Sequence, residues 1–197
     1  MKTLAAVLGA LVLLILVVGV WAVGAYNGLV GRNENVSKAW AQVESQYQRR
    51  FDLIPNLVET VKGSAKFEKE TLTAVVDARS RVGSMNVDKS VLNDPAAFKK
   101  FEDAQAGLSS ALSRLMVVVE KYPDIKSTQG FRDLQVQLEG TENRIAVARK
   151  DFNDAAQEYN TAIKIFPGAL VAGFGGFKER PYFSAAPAAA QAPAVKF

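Results

Sequence analysis

The sequence of 197 residues contains no cysteine and no histidine. A chain without cysteine can form no disulfide, no thiolate metal site and no thiol nucleophile. A chain without histidine lacks the commonest general base and the commonest metal ligand. Together the two absences argue against a hydrolytic triad, a zinc site and a histidine-containing di-iron site.

The remaining polar residues form no pattern that is typical of an enzyme or of a nucleic-acid-binding protein. The formal net charge is +4, a mild excess rather than a nucleic-acid footprint. The sequence has neither a glycine-rich phosphate loop nor a nucleophile elbow. Glu139 and Glu142 share a helix face, but the other predicted helices carry apolar residues at inward positions. We therefore expect no catalytic residue, no cofactor, no metal and no nucleic-acid partner.

Residues 4–26 form an uncharged, strongly apolar run of 23 residues. A helix of that length spans about 34 Å, which is enough for the ~30 Å hydrocarbon core of a bilayer. Trp21 and Tyr26 lie toward one end, where aromatic side chains favour the membrane interface. A cleaved signal peptide is the alternative, with small residues at 23–25 as its cleavage site. Because the run is longer than the usual signal-peptide core, we expect an uncleaved anchor over residues 1–27.

The charges that flank this run bear on its orientation and its packing. Lys2 lies on one side, and Arg32 and Lys38 lie on the other, so the positive-inside rule barely discriminates. We expect the N-terminus inside the cell and the main domain outside the cytoplasm. Gly24 and Gly28 stand four residues apart, a spacing that permits close packing of membrane helices and therefore self-association.

After residue 27 the sequence predicts helices throughout. Apolar residues recur at intervals of three and four, which places them on one face of a helix and marks a coiled-coil-like bundle seam. The stretches that carry this spacing are 36–61, 72–82, 98–122 and 131–166. No stretch in this part of the sequence is typical of a strand.

The boundaries of these helices follow from capping and breaking residues. Gly63 is a helix stop and Ser64 a cap for the next helix, while Asp94 caps a helix that has Pro95 at its first position. Pro123 stops that helix after residue 122. The predicted helices are 29–63, 65–84, 95–122 and 128–166. One continuous helix from 27 to 84 is the alternative, but it would leave apolar stretches uncovered.

The fold class that follows is all-α, with a single N-terminal transmembrane helix and an antiparallel up-and-down four-helix bundle over residues 28–166. Two further segments complete the predicted organisation: a glycine-rich apolar segment over 167–183 and a flexible tail over 184–197. The tail is rich in alanine and proline and lacks large apolar residues for a core of its own.

The stretch RRFDLIPNLVETVKG carries Pro55 within a helical pattern, directly after two arginines. In the predicted bundle these arginines lie level with residues 142–150 of the fourth helix. We hypothesise that Arg49 or Arg50 pairs with Glu142 in a polar layer that sets the register of the helices. The layer would be completed by Asp52, Asn56 and Asn143. Solvated arginines with buried stems are the equally weighted alternative.

The segment PGALVAGFGGF is apolar, and its glycines at 173, 175 and 176 disfavour a helix. The predicted bundle brings this segment beside the bilayer. We expect a membrane or subunit contact made by Leu170, Val171, Phe174 and Phe177. The alternative is that the segment folds back to cap the lower end of the bundle.

Several blocks of the sequence resemble the LemA family: RRFDLIPNLVETVKG, LEGTENRIAVARKDFNDAAQEYN and FPGALVAGFGGFKERPYF. The resemblance covers residues 26–183. It implies a single-pass membrane protein with an up-and-down four-helix bundle. One branch of the family, the MamQ type, takes part in forming magnetosome membranes, which implies membrane organisation as a theme. The resemblance does not settle on which side of the membrane the bundle lies.

We therefore expect a non-enzymatic, membrane-anchored helical scaffold that self-associates and organises or remodels membrane. Its expected partners are the lipid bilayer, further copies of itself and other membrane proteins. Its expected location is the bacterial cytoplasmic membrane. An adaptor or accessory subunit that binds another membrane protein or a peptide is the alternative function. An enzyme is a third class, for which the sequence offers no constellation of residues.

Overall fold

A computed structural model of the chain describes residues 2–63, 67–85 and 88–184. Within these ranges every regular element is a helix, and the long N-terminal apolar helix packs against later helices in a bundle. The predicted all-α class is confirmed. The elements in order are α1 (Lys2–Lys62), α2 (Lys69–Gly83), a 3-10 helix (Lys89–Asn93), α3 (Pro95–Val119), α4 (Pro123–Lys126), α5 (Gln129–Lys164) and α6 (Gly168–Gly175).

The chain divides into two compact units. The first, here called the anchor unit, comprises the described residues within 1–38 and 154–180. The second, here called the bundle unit, comprises those within 39–153 and 181–197. The division predicted from the sequence, at residues 27, 166 and 183, stays a prediction.

The first predicted helix is longer than expected at its start and ends where a glycine stops it. α1 runs without interruption from Lys2 through Pro55 to Lys62, and Gly63 follows in a turn. α2 begins at Lys69, later than the predicted residue 65. The alternative of one helix from 27 to 84 is therefore wrong. Ser64, the predicted cap of the second helix, lies outside the described residues.

The third helix begins as predicted, but its end differs. The Asp94 carboxylate accepts hydrogen bonds from the backbone amides of Ala96 (2.9 Å) and Ala97 (3.2 Å), and Pro95 occupies the first turn. α3 ends at Val119, before the predicted residue 122. Pro123 does not merely stop that helix; it starts the short α4, because proline is well suited to a first helical turn.

The core of the bundle unit contains a cluster of aromatic rings around Trp40, which is completely buried. Four rings lie with centroids 5.4–6.1 Å from the Trp40 ring: Phe98, Phe101, Phe152 and Phe183. Aromatic pairs at such distances contribute to stability beyond their buried area. Because Phe183 follows α6 in the sequence, the C-terminal segment is an integral part of this core.

A short helix forms after Pro167 although its glycines disfavour one, since α6 covers Gly168–Gly175. Alanine, leucine, valine and phenylalanine supply the rest of this short helix. It ends at Gly176, whose φ of 69° lies in the left-handed region that glycine adopts most readily. Gly175 has a packing role: a Cβ there would lie 2.7 Å from the Phe177 ring and 3.2 Å from Tyr26.

Candidate functional site

The bundle unit buries one charged side chain, that of Arg50 on α1, which is 1% exposed. Its Nη1 donates to Glu142 Oε1 at 2.8 Å and to Ser109 Oγ at 2.7 Å. Its Nη2 donates to the side-chain Oε1 of Gln105. The guanidinium also lies over the Tyr47 ring, 5.0 Å from the centroid. α1, α3 and α5 each contribute a polar group to this layer.

The structure brings together two of the six residues predicted for the polar layer, Arg50 and Glu142. The other four are exposed and lie outside it: Arg49, Asp52, Asn56 and Asn143. Asp52 instead accepts a hydrogen bond from Gln48 on its own helix, at 2.7 Å. The proposed role of the layer in setting register stays a prediction.

Sequence reasoning missed Gln105 and Ser109, which come from α3. Gln105 is 5% exposed and lies between Phe101 and Leu108, inside the apolar stretch of that helix. A glutamine at a position where the spacing demands an apolar residue was a usable signal, because buried polar groups need partners. Ser109 stands one helical turn further on and carries no comparable signal.

Pro55 on α1 removes a backbone donor, and the carbonyl that loses its helical partner is that of Phe51, four residues earlier. The structure supplies a substitute from α2. Arg79 Nε donates to the Phe51 carbonyl oxygen at 3.3 Å, and its guanidinium lies 3.8 Å from the centroid of the Phe51 ring. The hydrogen bond that Pro55 removes from α1 is therefore replaced by a donor from α2 and not by the polar layer.

An open groove of about 680 Å³ lies in the bundle unit beside α1. Its walls combine apolar and polar side chains, among them Glu44, Tyr47, Phe51, Val82 and Gln105. Burial raises the pKa of the Glu44 carboxyl and that of the Tyr47 hydroxyl above their ordinary values. The groove offers surface for binding. Among the described residues, no group of three or more acidic side chains could hold a metal ion.

In the anchor unit, the part of α1 that precedes the bundle is exposed and apolar. Among the described residues, α1 is the one helix long and apolar enough to cross a membrane. Its large apolar side chains are more than half exposed, from Leu4 (65%) to Val20 (76%). This surface matches the anchor that the sequence predicts.

The segment after α6 is fixed within the anchor unit by backbone-directed hydrogen bonds. Asn160 donates from Nδ2 to the Arg180 carbonyl, and the Arg180 amide donates to Asn160 Oδ1, both at 2.8 Å. The Tyr159 hydroxyl donates to the Lys178 carbonyl at 3.0 Å. Burial raises the pKa of this hydroxyl. The Arg180 side chain reaches Asn33 on α1, with Nη2 donating to Oδ1 at 2.7 Å.

A matching clamp lies in the bundle unit. Asn153 donates from Nδ2 to the Phe183 carbonyl at 3.0 Å, and the Phe183 amide donates to Asn153 Oδ1 at 2.9 Å. Ser184 donates from its amide and its hydroxyl to Glu102, each at 2.9 Å. The predicted flexible tail over 184–197 lies outside the described residues beyond Ser184.

The residues predicted to contact membrane or other subunits divide into two groups. Leu170 and Phe174 are exposed, by 55% and 94%. Val171 is half-buried, and Phe177 packs inward against Tyr26, with ring centroids 5.4 Å apart. Sequence reasoning missed the exposed pair just before Pro167, Ile165 and Phe166.

The family model described as LemA family matches residues 39–197, which is most of the chain. The chain belongs to the LemA family. The matched range contains the described parts of the bundle unit, with the Arg50 layer and the clamped segment, whereas the candidate membrane span of α1 precedes it. The family predicted from the sequence is thereby confirmed.

Relatives with established names include three magnetosome proteins. MamQ 1 and MamQ 2 of Paramagnetospirillum magneticum and MamQ of Magnetospirillum gryphiswaldense are each 32% identical over 180 residues, covering 83% of this chain. The chain spans 66% of the length of these relatives. Protein LemA of Metamycoplasma hominis is 24% identical over 144 residues, covering 73% of this chain and 62% of that protein.

Proposed function

We propose that this LemA-family protein is a non-enzymatic, membrane-anchored helical scaffold that self-associates and organises or remodels membrane. The observation that carries the proposal is the bare apolar surface of α1 before residue 21, followed without a helix break by residues of the bundle. Soluble monomers rarely expose contiguous apolar patches larger than a few hundred Å². A bilayer would cover this surface.

The magnetosome names of the MamQ relatives support a role at an organised membrane. The proposed location is the bacterial cytoplasmic membrane, with the bundle on its extracytoplasmic side. The side of the membrane on which the bundle lies can be tested by labelling a single introduced cysteine, because the chain has no native cysteine. A cysteine introduced by Val136→Cys, at a 68% exposed position, should react with a membrane-impermeant maleimide added to intact spheroplasts. Labelling that requires lysis would place the bundle on the opposite side.

Self-association is tested by measuring the mass of the full-length protein in detergent by sedimentation or light scattering. A defined homo-oligomer supports the scaffold, and a monomer at all concentrations contradicts it. Small residues in a membrane helix permit close helix packing. Gly24→Leu should therefore reduce the fraction of oligomer, because a bulky side chain keeps two helices apart. The substitution should not disturb the fold of the single chain, since no atom lies within 4 Å of a Cβ built there. Gly19→Leu, equally open but on another side of the helix, is the matched control.

An adaptor for another membrane protein is the second candidate function. The groove of about 680 Å³ beside Glu44 and Phe51 favours it, because its mixed walls suit a peptide segment of a partner. The adaptor function would be supported if the protein is a monomer and Phe51→Ala abolishes its binding to a partner protein. A homo-oligomer unaffected by the same substitution would support the scaffold.

A further inference from the structure

The anchor unit exposes a second apolar surface, separate from the bare part of α1. Four large side chains in the turn after α5 and on α6 are exposed: Ile165 by 57%, Phe166 by 80%, Leu170 by 55% and Phe174 by 94%. Leu170 and Phe174 stand four residues apart on α6 and therefore share one face of that helix. We call these four residues the apolar face.

The apolar face lies next to the end of the predicted membrane span. Tyr26, the last residue of the apolar run over 4–26, packs edge-on against Phe177, with ring centroids 5.4 Å apart. A Cβ built on Gly175 would lie 3.2 Å from the same Tyr26 ring. Because tyrosine at the end of a membrane helix favours the headgroup region, the C-terminal end of α6 lies at that depth.

The composition of the segment suits lipid. Residues 165–177 carry no charge, whereas Lys164 precedes them and Lys178 follows. Lys164 pairs with Glu179 at 2.7 Å, so charged groups close the two ends of the segment. Aromatic side chains and flanking basic residues with long aliphatic stems both favour the interface region of a bilayer, which suits this segment.

We propose that the apolar face inserts into the headgroup and acyl boundary of the bilayer that α1 crosses, as a second contact with the same membrane. This inference rests on the proposed anchoring by α1. It assigns lipid, rather than another copy of the chain, as the partner of Leu170 and Phe174. Insertion of bulky side chains into one leaflet gives the scaffold a direct means of acting on membrane shape.

The test uses the full-length chain in liposomes of phosphatidylethanolamine and phosphatidylglycerol. Because the chain has no cysteine, Phe174→Cys gives a single site for an environment-sensitive fluorophore. Glu158→Cys is the matched control, because Glu158 is exposed and charged on α5 of the same unit. We expect blue-shifted emission at position 174 and quenching by headgroup-proximal nitroxide lipids about threefold or more above that at position 158.

Two results would overturn the inference. A label at position 174 that is quenched by aqueous iodide as strongly as the label at 158 lies in water. A label shielded from both quenchers, with disulfide cross-linking between two Phe174→Cys chains, lies in a subunit contact. Leu170→Cys gives the same readout at a second position, so misfolding of one variant does not decide the outcome.

Failure of the anchor is distinguished in the same samples. Liposomes are floated on a gradient after washing with alkaline carbonate, which removes peripheral proteins. If the protein floats and the label at 174 is aqueous, only the second contact is wrong. If the protein is washed off, the proposed anchoring by α1 is wrong as well.

Discussion

Arg79 on α2 donates a hydrogen bond to the carbonyl oxygen of Phe51 on α1, with Nε and O 3.3 Å apart. That carbonyl is the one left without a helical donor by Pro55. The guanidinium covers the Phe51 ring as well, at 3.8 Å from its centroid. A charged donor on one helix thus replaces the backbone bond that a proline removes from another.

The dependence of Arg79 on Pro55 is open to a double-mutant cycle. Arg79→Ala should lower the free energy of unfolding by about 1.5–3 kcal/mol, since it removes a charged hydrogen bond and a cation–π contact. The loss should be smaller in a Pro55→Ala background, because the new amide can reach the Phe51 carbonyl. The measurement is guanidinium unfolding of the full-length protein in detergent, followed by circular dichroism.

Arg81→Ala is the matched control for this cycle, because Arg81 is exposed on the same helix. Exposed substitutions of this kind usually change stability by less than about 0.5 kcal/mol. An equal loss for Arg79→Ala with and without Pro55 would show that the two residues are not coupled.

Arg50 and Arg49 are adjacent in sequence and opposite in burial, so they should differ in their effect on stability. Arg50→Ala should cost about 3–5 kcal/mol, because it strips the buried layer of its donor. Arg49→Ala should change little, since its side chain is exposed. Thermal unfolding of both variants in the same detergent measures the difference, and similar melting temperatures would contradict the prediction.

The pairing of Arg50 with Glu142 predicts a coupling that is moderate rather than large. The Glu142 side chain is 43% exposed. When Glu142 is substituted, Arg50 still donates hydrogen bonds to Gln105 and Ser109. We expect Glu142→Gln to cost about 1–2 kcal/mol in the parent. In an Arg50→Met background the same change should be nearly neutral. Equal effects of Glu142→Gln in both backgrounds would show that the ion pair between Arg50 and Glu142 does not contribute to stability.

The Glu44 carboxyl gives the bundle unit a pH dependence with a definite sign. Burial raises its pKa above the ordinary 4.5, opposed by the hydrogen bond from Trp40 Nε1 at 2.9 Å. An acid with a raised pKa binds more protons when folded, so stability falls as pH rises from its unfolded pKa through its folded pKa. Glu44→Gln keeps an acceptor for Trp40 and removes this decrease.

The expected result is a variant that gains stability relative to the parent as the pH rises above the ordinary carboxyl pKa of 4.5. Urea unfolding at a series of pH values measures it. Glu158→Gln, at an exposed position, is the control and should run parallel to the parent. A constant difference between Glu44→Gln and the parent over this range would contradict the prediction.

The Asn153 clamp predicts local protection at the C-terminal segment. The Phe183 amide is bonded to Asn153 Oδ1 at 2.9 Å and its side chain is 5% exposed. Asn153→Leu should therefore speed hydrogen exchange at this amide by roughly tenfold or more, since exchange requires local opening. Mass spectrometry of the peptide that covers 181–184 is the measurement. Asn143→Leu, at an exposed asparagine, should leave exchange there unchanged.

The sequence predicted best where local chemistry decides the structure. Asp94 and Pro95 mark a helix start through a cap and a missing donor, and Gly63 marks a stop. Heptad-like apolar spacing indicated which faces are buried. The pairing of Arg50 with Glu142 could be hypothesised because helix lengths set the levels at which residues meet.

What the sequence did not reveal depends on packing between segments distant in sequence. α6 forms although glycine disfavours helices, because packing overrides local propensity: the close approach of Gly175 to Tyr26 needs a residue without Cβ. Arg79 could not be connected with Pro55, since nothing local links two helices. Phe183 was predicted only as the end of a glycine-rich apolar segment, yet it lies among the rings around Trp40.

The two asparagine clamps, one in each unit, fix the peptide groups of the C-terminal segment, while the side chains of Arg180 and Phe183 make contacts of their own. Each asparagine side chain binds one residue in the way a neighbouring strand would, accepting from its amide and donating to its carbonyl. Asn160 binds Arg180 and Asn153 binds Phe183. Pro181 falls between the clamped residues, where no amide is needed. The Tyr182 side chain, between the clamped residues, is 46% exposed, so neither clamp depends on it.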